Sequence, residues 1–133
     1  MERLKLLEDN LLQLQRLKAH SQESPGFFGE KHNEWALRYG LLESIQIIID
    51  VSCEIVTKHN LGNPKSSREC IEILRNAEYI SVSLEKTLSQ MVGLRNLLSH
   101  EYVKIDLKQL QSFLNRLDDF RNFIGEVSEY YHV

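Results

Sequence analysis

Residues 41–56, LLESIQIIIDVSCEIV, hold the most apolar run of the chain, and their reading decides the fold. Leu41, Leu42, Ile45, Ile48, Ile49, Ser52 and Val56 recur at helical spacing and make one face; Ile47, Val51 and Ile55 make a second stripe roughly opposite. A helix that is apolar on two sides is buried on two sides. Either the chain's own helices enclose it, or one side meets a second subunit across a two-fold axis. The second arrangement is the expectation here. Asp50 and Glu54 interrupt the run, which is too short to span a bilayer.

Working outward, this helix extends from about Lys31 to His59. Before it, SQESPGFFG (21–29) carries the Ser, Pro and Gly of a loop. Residues 2–20 form a first helix with Leu4, Leu7, Leu11 and Leu14 on its inner face; little more than two heptads long, the pattern suits a bundle and not a free coiled coil. Beyond the central helix comes a second loop, NLGNPKSS (60–67). Ser66, with Glu69 three residues on, then has the form of a capping box opening a short helix over about Ser67–Ala77, with Cys70, Ile71 and Leu74 inward. A fourth helix covers about Val82–Ser99. Asp106 with Gln109 opens a fifth, with Leu107, Leu110, Leu114, Leu117, Phe120, Ile124, Val127 and Tyr131 at 3/4 spacing. There is no strand alternation and no internal repeat. The expected architecture is all-α: one domain over residues 1–133, an up-and-down bundle of four long helices plus one short, forming a two-fold symmetric homodimer. Short loops imply antiparallel neighbours.

The composition is that of an ordinary globular chain: 133 residues, 42% hydrophobic, 26% charged, formal net charge −3. Such a balance excludes a domain that binds nucleic acid through its global field, so any role on RNA rests on a local patch. Cys53 and Cys70 show neither CxxC nor Cys/His metal spacing and read as reduced thiols, with a disulfide between them as the alternative. His20, His32, His59 and His132 lack metal spacing too, and no metal or cofactor is expected. The charged opening MERLKLLEDN is not a signal peptide. A cytoplasmic protein without a membrane anchor is expected.

One position breaks the pattern. The inner stripe of the fourth helix runs Leu84, Leu88, Met91, Arg95, Leu98, Tyr102, so an arginine occupies a core register. A guanidinium does not lose its proton and is costly to bury unpaired; it must meet a carboxylate, a cleft or an anion. His100 lies about 140° round from Arg95 on a straight helix. The two converge on one ligand only if the helix ends there or a second copy supplies one of them. Gly93, mid-helix, is expected where another helix approaches closely. The structural alternative stays open: Arg95 paired to Asp50 or Glu54, His100 favoured by the helix dipole, Tyr102 merely packing. Lys65, Arg68, Arg75, Lys104 and Lys108, interleaved with Glu69, Glu72 and Glu101, read as a solvated face.

The motif Arg95-x4-His100-x-Tyr102 at a helix end resembles that of the HEPN superfamily, in particular its HepT-like toxin branch. The likeness extends to RYGLLESIQIIID (38–50), SSRECIEIL (66–74), MVGLRNLLSHEY (91–102) and the Ile105-Asp106 start of the last helix, spanning about residues 30–125. It implies a metal-independent endoribonuclease, the toxin of a type VII-like toxin–antitoxin pair, working as a dimer with its motif helices facing across a cleft. On that reading His100 is general acid and base, Arg95 steadies the phosphorane and Asn96 supports them. It further implies a partner nucleotidyltransferase antitoxin that adds AMP to Tyr102. A different class, a non-catalytic helical nucleotide-binding or partner subunit of a nucleotidyltransferase, uses the same Arg95 and His100 to grip phosphates.

Overall fold

The computed structural model describes residues 2–100 and 104–131. Among them there are six α-helices and no strand: α1 (Glu2–Glu23), α2 (Lys31–Lys58), α3 (Ser67–Asn76), α4 (Val82–Leu98), α5 (Leu107–Ser112) and α6 (Leu117–Val127). The first four match the sequence expectation to within a few residues. Their starts have the local chemistry expected of them: Ser66 Oγ accepts from the Glu69 N–H (3.2 Å), and Asp106 Oδ1 accepts from the Lys108 N–H (3.0 Å). Ser81, which the sequence reading passed over, caps α4 in the same way.

The fifth helix is not continuous. A 3₁₀ turn at Phe113–Arg116 divides it into α5 and α6, and a second 3₁₀ turn follows at Ser128–Tyr130. Leu107, Leu110 and Phe113 recur every three residues, and the tighter 3₁₀ winding brings such a triplet into line where an α-helix would let it drift. The turn buries Phe113 and Leu114 together.

α2 is the centre of the molecule and packs against α1, α3, α4 and α5. Both of its apolar stripes are covered by this one chain: Ile47, Val51 and Ile55 are as buried as Ile45, Ile48 and Val56. The second stripe therefore does not call for another subunit, contrary to the expectation drawn from it. α1 runs antiparallel to α2, with Arg3 on Glu54 and Asn10 on Glu43, and its four inner leucines are all buried. α3 departs from the antiparallel rule. Its start lies beside Gln46, Cys70 lies beside Cys53, and Tyr79 beyond its end meets His59, so it runs in the same sense as α2. The loop at 59–66 carries the chain back along α2 to make this possible.

Cys53 and Cys70 form a disulfide between α2 and α3, with their Cα atoms 5.1 Å apart. The expectation of reduced thiols is corrected. Seventeen residues and a loop separate them in sequence, but the parallel course of α3 brings them within bonding reach. Among the described residues no helix is long and apolar enough to cross a membrane.

Candidate active site

Arg95 stands in the last turn of α4, half-buried, where three helices converge. Its Nη1 donates to Gln46 Oε1 on α2 (2.8 Å), its Nη2 to Ser67 Oγ at the start of α3 (3.2 Å), and its Nε to Asn96 Oδ1 (3.1 Å). All three acceptors are neutral. Neither Asp50 nor Glu54 pairs with it, as the structural alternative had required. Glu54 binds Arg3 and Lys58 instead. Asp50 accepts from Gln46 Nε2 (2.9 Å) and so touches the arginine only through the amide. Among the described residues no carboxylate forms an ion pair with Arg95. The guanidinium is thus held firmly without losing its charge, and it keeps N–H groups to spare. That is the condition for binding an anion.

The rest of the motif surrounds this point. Asn96 is exposed beside Arg95. The helix ends at Leu98, with Ser99 at its C-cap donating both backbone N–H and Oγ to Arg95 O (3.0 and 2.9 Å). His100, exposed, therefore lies beyond the helix proper, its N–H on Leu97 O (3.1 Å). The helix thus stops between Arg95 and His100, so the 140° separation of a straight helix does not apply to them. Tyr102 lies outside the described residues.

Gln46 and Ser67 escaped the sequence reading, although each left a signal. Gln46 is a lone amide within the most apolar run, one helical turn before Asp50. Ser67 immediately follows a capping serine and was absorbed into that motif. The basic residues near the motif separate. Arg68 reaches along α4, its Nη2 donating to Ser89 O (3.0 Å) and lying 3.8 Å from where a Cβ on Gly93 would sit. Arg75 is paired with Glu85 (3.2 Å), and Lys108 lines a separate groove with Lys18 and Ser21. Around Gly93 this chain leaves ordinary van der Waals room, so its own helices do not account for the glycine. The outer strip of α4 carries Gly93, half-buried, and the exposed Asn96 and Leu97, the last 38% exposed.

A helical bundle presenting a charged, neutrally tethered arginine at a helix end, with a histidine just past it, has the make-up of a HEPN-type domain. Within that class the chain belongs to the ribonuclease HepT-like family, whose model matches residues 7–127. It is 35% identical over 80 residues to the mRNA nuclease HepT of Shewanella oneidensis, an alignment covering 59% of this chain and 60% of that protein, less than two thirds of its length. The solved structure of the tri-AMPylated Shewanella oneidensis HEPN toxin in complex with MNT antitoxin shares the fold. Its TM-score is 0.87 at 23% identity, over 96% of this chain and 95% of that one. The Bacillus subtilis protein YutE, described as cytosolic and of unknown function, also shares it, with a TM-score of 0.74 at 17% identity over 95% and 88% of the two chains.

Proposed function

We propose that the chain is the ribonuclease toxin of a toxin–antitoxin pair. The observation that carries this reading is the charged Arg95 fixed by Gln46, Ser67 and Asn96, with His100 just beyond the helix end. A ribose 2′-OH loses its proton to the imidazole of one His100 as it attacks the adjacent phosphorus. The pentavalent phosphorane gathers negative charge, which Arg95 stabilises. The 5′-oxygen leaves with a proton from an imidazolium, giving a 2′,3′-cyclic phosphate and a 5′-hydroxyl. Base and acid are most simply the His100 residues of two copies. The strip of Gly93, Asn96 and Leu97 supports such a two-fold pairing of α4 helices.

One solved structure that shares the fold is AMPylated and bound to its antitoxin. By family likeness we assign Tyr102 as the AMP acceptor and a nucleotidyltransferase as the partner. An adenylyl phosphate two residues from His100 places negative charge and bulk where an RNA phosphate would sit. RNA is met in the cytoplasm, and that is the location this reading assigns.

The test is cleavage of single-stranded RNA in EDTA, with cyclic-phosphate ends expected and activity lost in His100→Ala while the thermal midpoint holds. Nucleotide binding without any cleavage would instead identify a non-catalytic subunit. Incubation with the cognate transferase and ATP should add one or more AMP masses that Tyr102→Phe abolishes.

A further inference from the structure

A groove of about 390 Å³ opens between the first half of α2 and the end of α4, lined by Trp35, Arg38, Tyr39, Leu42 and Leu98. Its floor adjoins the site already described: Leu98 is one turn beyond Arg95, and Leu42 is one turn before Gln46, the arginine's acceptor. At about 100° per residue, Lys31, Trp35, Arg38, Leu42 and Gln46 fall within about 80° of one another on α2. One continuous face therefore leads from the arginine to the groove. Leu42 is central on this face; Lys31 and Arg38 lie to one side of it, next to Glu34, and Glu43 lies beyond Tyr39 on the other.

The two aromatic residues here do no core work. Trp35, the chain's single tryptophan, is 58% exposed, and Tyr39 is 64% exposed. Neither is idle in geometry, however. Tyr39 is held by its hydroxyl, which donates to Glu43 Oε2 (2.6 Å), and Lys31 Nζ stands 5.4 Å from the Trp35 ring centroid. Arg38 has no carboxylate partner among the described residues. Exposed aromatic rings beside cations that no carboxylate neutralises are the chemistry that receives an unpaired nucleobase and its phosphate.

We propose that this groove is a subsite for single-stranded RNA, in which Trp35 and Tyr39 stack on a base flanking the cleaved bond and Arg38 contacts a neighbouring phosphate. The inference rests on the ribonuclease reading. Arg38 and Tyr39 stand about 10–12 Å along the helix axis from Gln46, a span that a short stretch of extended strand covers. Bases stacked inside a duplex present no open face to such rings, so the subsite selects single strands.

The single tryptophan makes the test direct. In the full-length His100→Ala chain, a short oligouridylate should quench tryptophan emission saturably, at the same concentrations that raise the anisotropy of labelled RNA. Double-stranded RNA of equal length should leave the emission unchanged. Trp35→Ala should weaken RNA binding by about 5- to 150-fold, the range of one lost stacking contact, with Trp35→Phe restoring most of it and no change in melting. Arg38→Ala should lower the slope of log K against log salt by about 0.7. The proposal is overturned if the wild-type chain cuts RNA and Trp35→Ala binds it equally well. It is also overturned if Trp35→Ala alters only the mass of the assembly, which would make the groove a protein contact. If the wild-type chain neither binds nor cuts single-stranded RNA, the ribonuclease reading fails and the subsite with it.

Discussion

Replacing Gln46 by leucine tests whether Arg95 works because it is held in place. The substitution removes the Oε1 acceptor 2.8 Å from Arg95 Nη1 and the Nε2 donor 2.9 Å from Asp50, and it conserves volume on α2. A hydrogen bond to a charged group contributes roughly 1.5–3 kcal/mol. Arg95 and Asp50 are only half-buried, so water replaces part of each loss and the lower end applies. Burying more of a leucine side chain in this apolar run offsets about 1 kcal/mol more. Two such bonds at about 1.5 kcal/mol each, less about 1 kcal/mol, leave folding stability lower by about 2 kcal/mol. Catalysis has no such compensation. Arg95, left with Ser67 and Asn96, loses the tether that aims Nη1, and a loss of about 1.5 kcal/mol at the transition state is about tenfold in rate. The expected result is a drop of about tenfold in kcat for RNA cleavage in EDTA, little change in KM, and a melting midpoint lowered by several degrees that leaves the chain folded at the assay temperature. Wild-type kcat in a folded Gln46→Leu chain would refute the reasoning. So would a loss that merely tracks the folded fraction.

Other expectations are as direct. Gly93→Ala removes a mid-helix glycine and meets only Arg68 at 3.8 Å, so the folded chain should gain about 0.5–1 kcal/mol; sedimentation should show weakened self-association, and unchanged association would exclude a pairing through this part of α4. Reducing the Cys53–Cys70 bond opens a loop of 17 residues' separation, which the loop-entropy model puts at about 3 kcal/mol, read as a fall of about 10 °C in melting temperature; an unchanged midpoint in dithiothreitol would refute it. Glu43 and Glu54 contribute to the acid limb of stability. The Tyr39 hydroxyl, then the Asn10 amide, holds Glu43 below its ordinary range, and the Tyr131 hydroxyl, with help from Lys58 and Arg3 and against burial, does so for Glu54. Because both folded-state values are lowered, their contribution is complete above the usual glutamate range and is lost as pH falls through the lowered values. Melting below pH 5 should steepen accordingly, and Glu43→Gln with Glu54→Gln should flatten it.

Much of the fold was legible because helical periodicity reports burial directly. Leu4, Leu7, Leu11 and Leu14 could face only a core, and the capping residues Ser66 and Asp106 marked true helix starts. What sequence spacing does not encode is which body does the burying. The second stripe of α2 shows this: Ile47, Val51 and Ile55 demanded a partner surface, and α1, α3, α4 and α5 between them supplied it. The direction of α3 was equally hidden, because the loop at 59–66 doubles back where its length suggested a simple reversal. The disulfide followed from that direction and was misread with it. At the site, Arg95 was visible as a charge in a core register, while its supports were not. Gln46 and Ser67 are uncharged, and nothing local in the sequence ties either of them to residue 95.

The course of α3 links these features. Gln46 and Cys53 share α2, two turns apart; Ser67 and Cys70 share α3, one turn apart. The contact between α2 and α3 that the disulfide closes is therefore the one that carries two of the three acceptors of Arg95. On the proposed function, Arg95 binds phosphate and has to be immobilised without being neutralised, since a carboxylate that fixed it would also compete with the substrate. Neutral amide and hydroxyl acceptors meet that requirement, but each is weaker than a carboxylate, so several must be placed at once. Placing them on two different helices makes the site only as rigid as the packing between those helices. A chain built this way needs α2 and α3 locked in register. The sequence provides the lock one turn from Ser67, beneath the site and not within it.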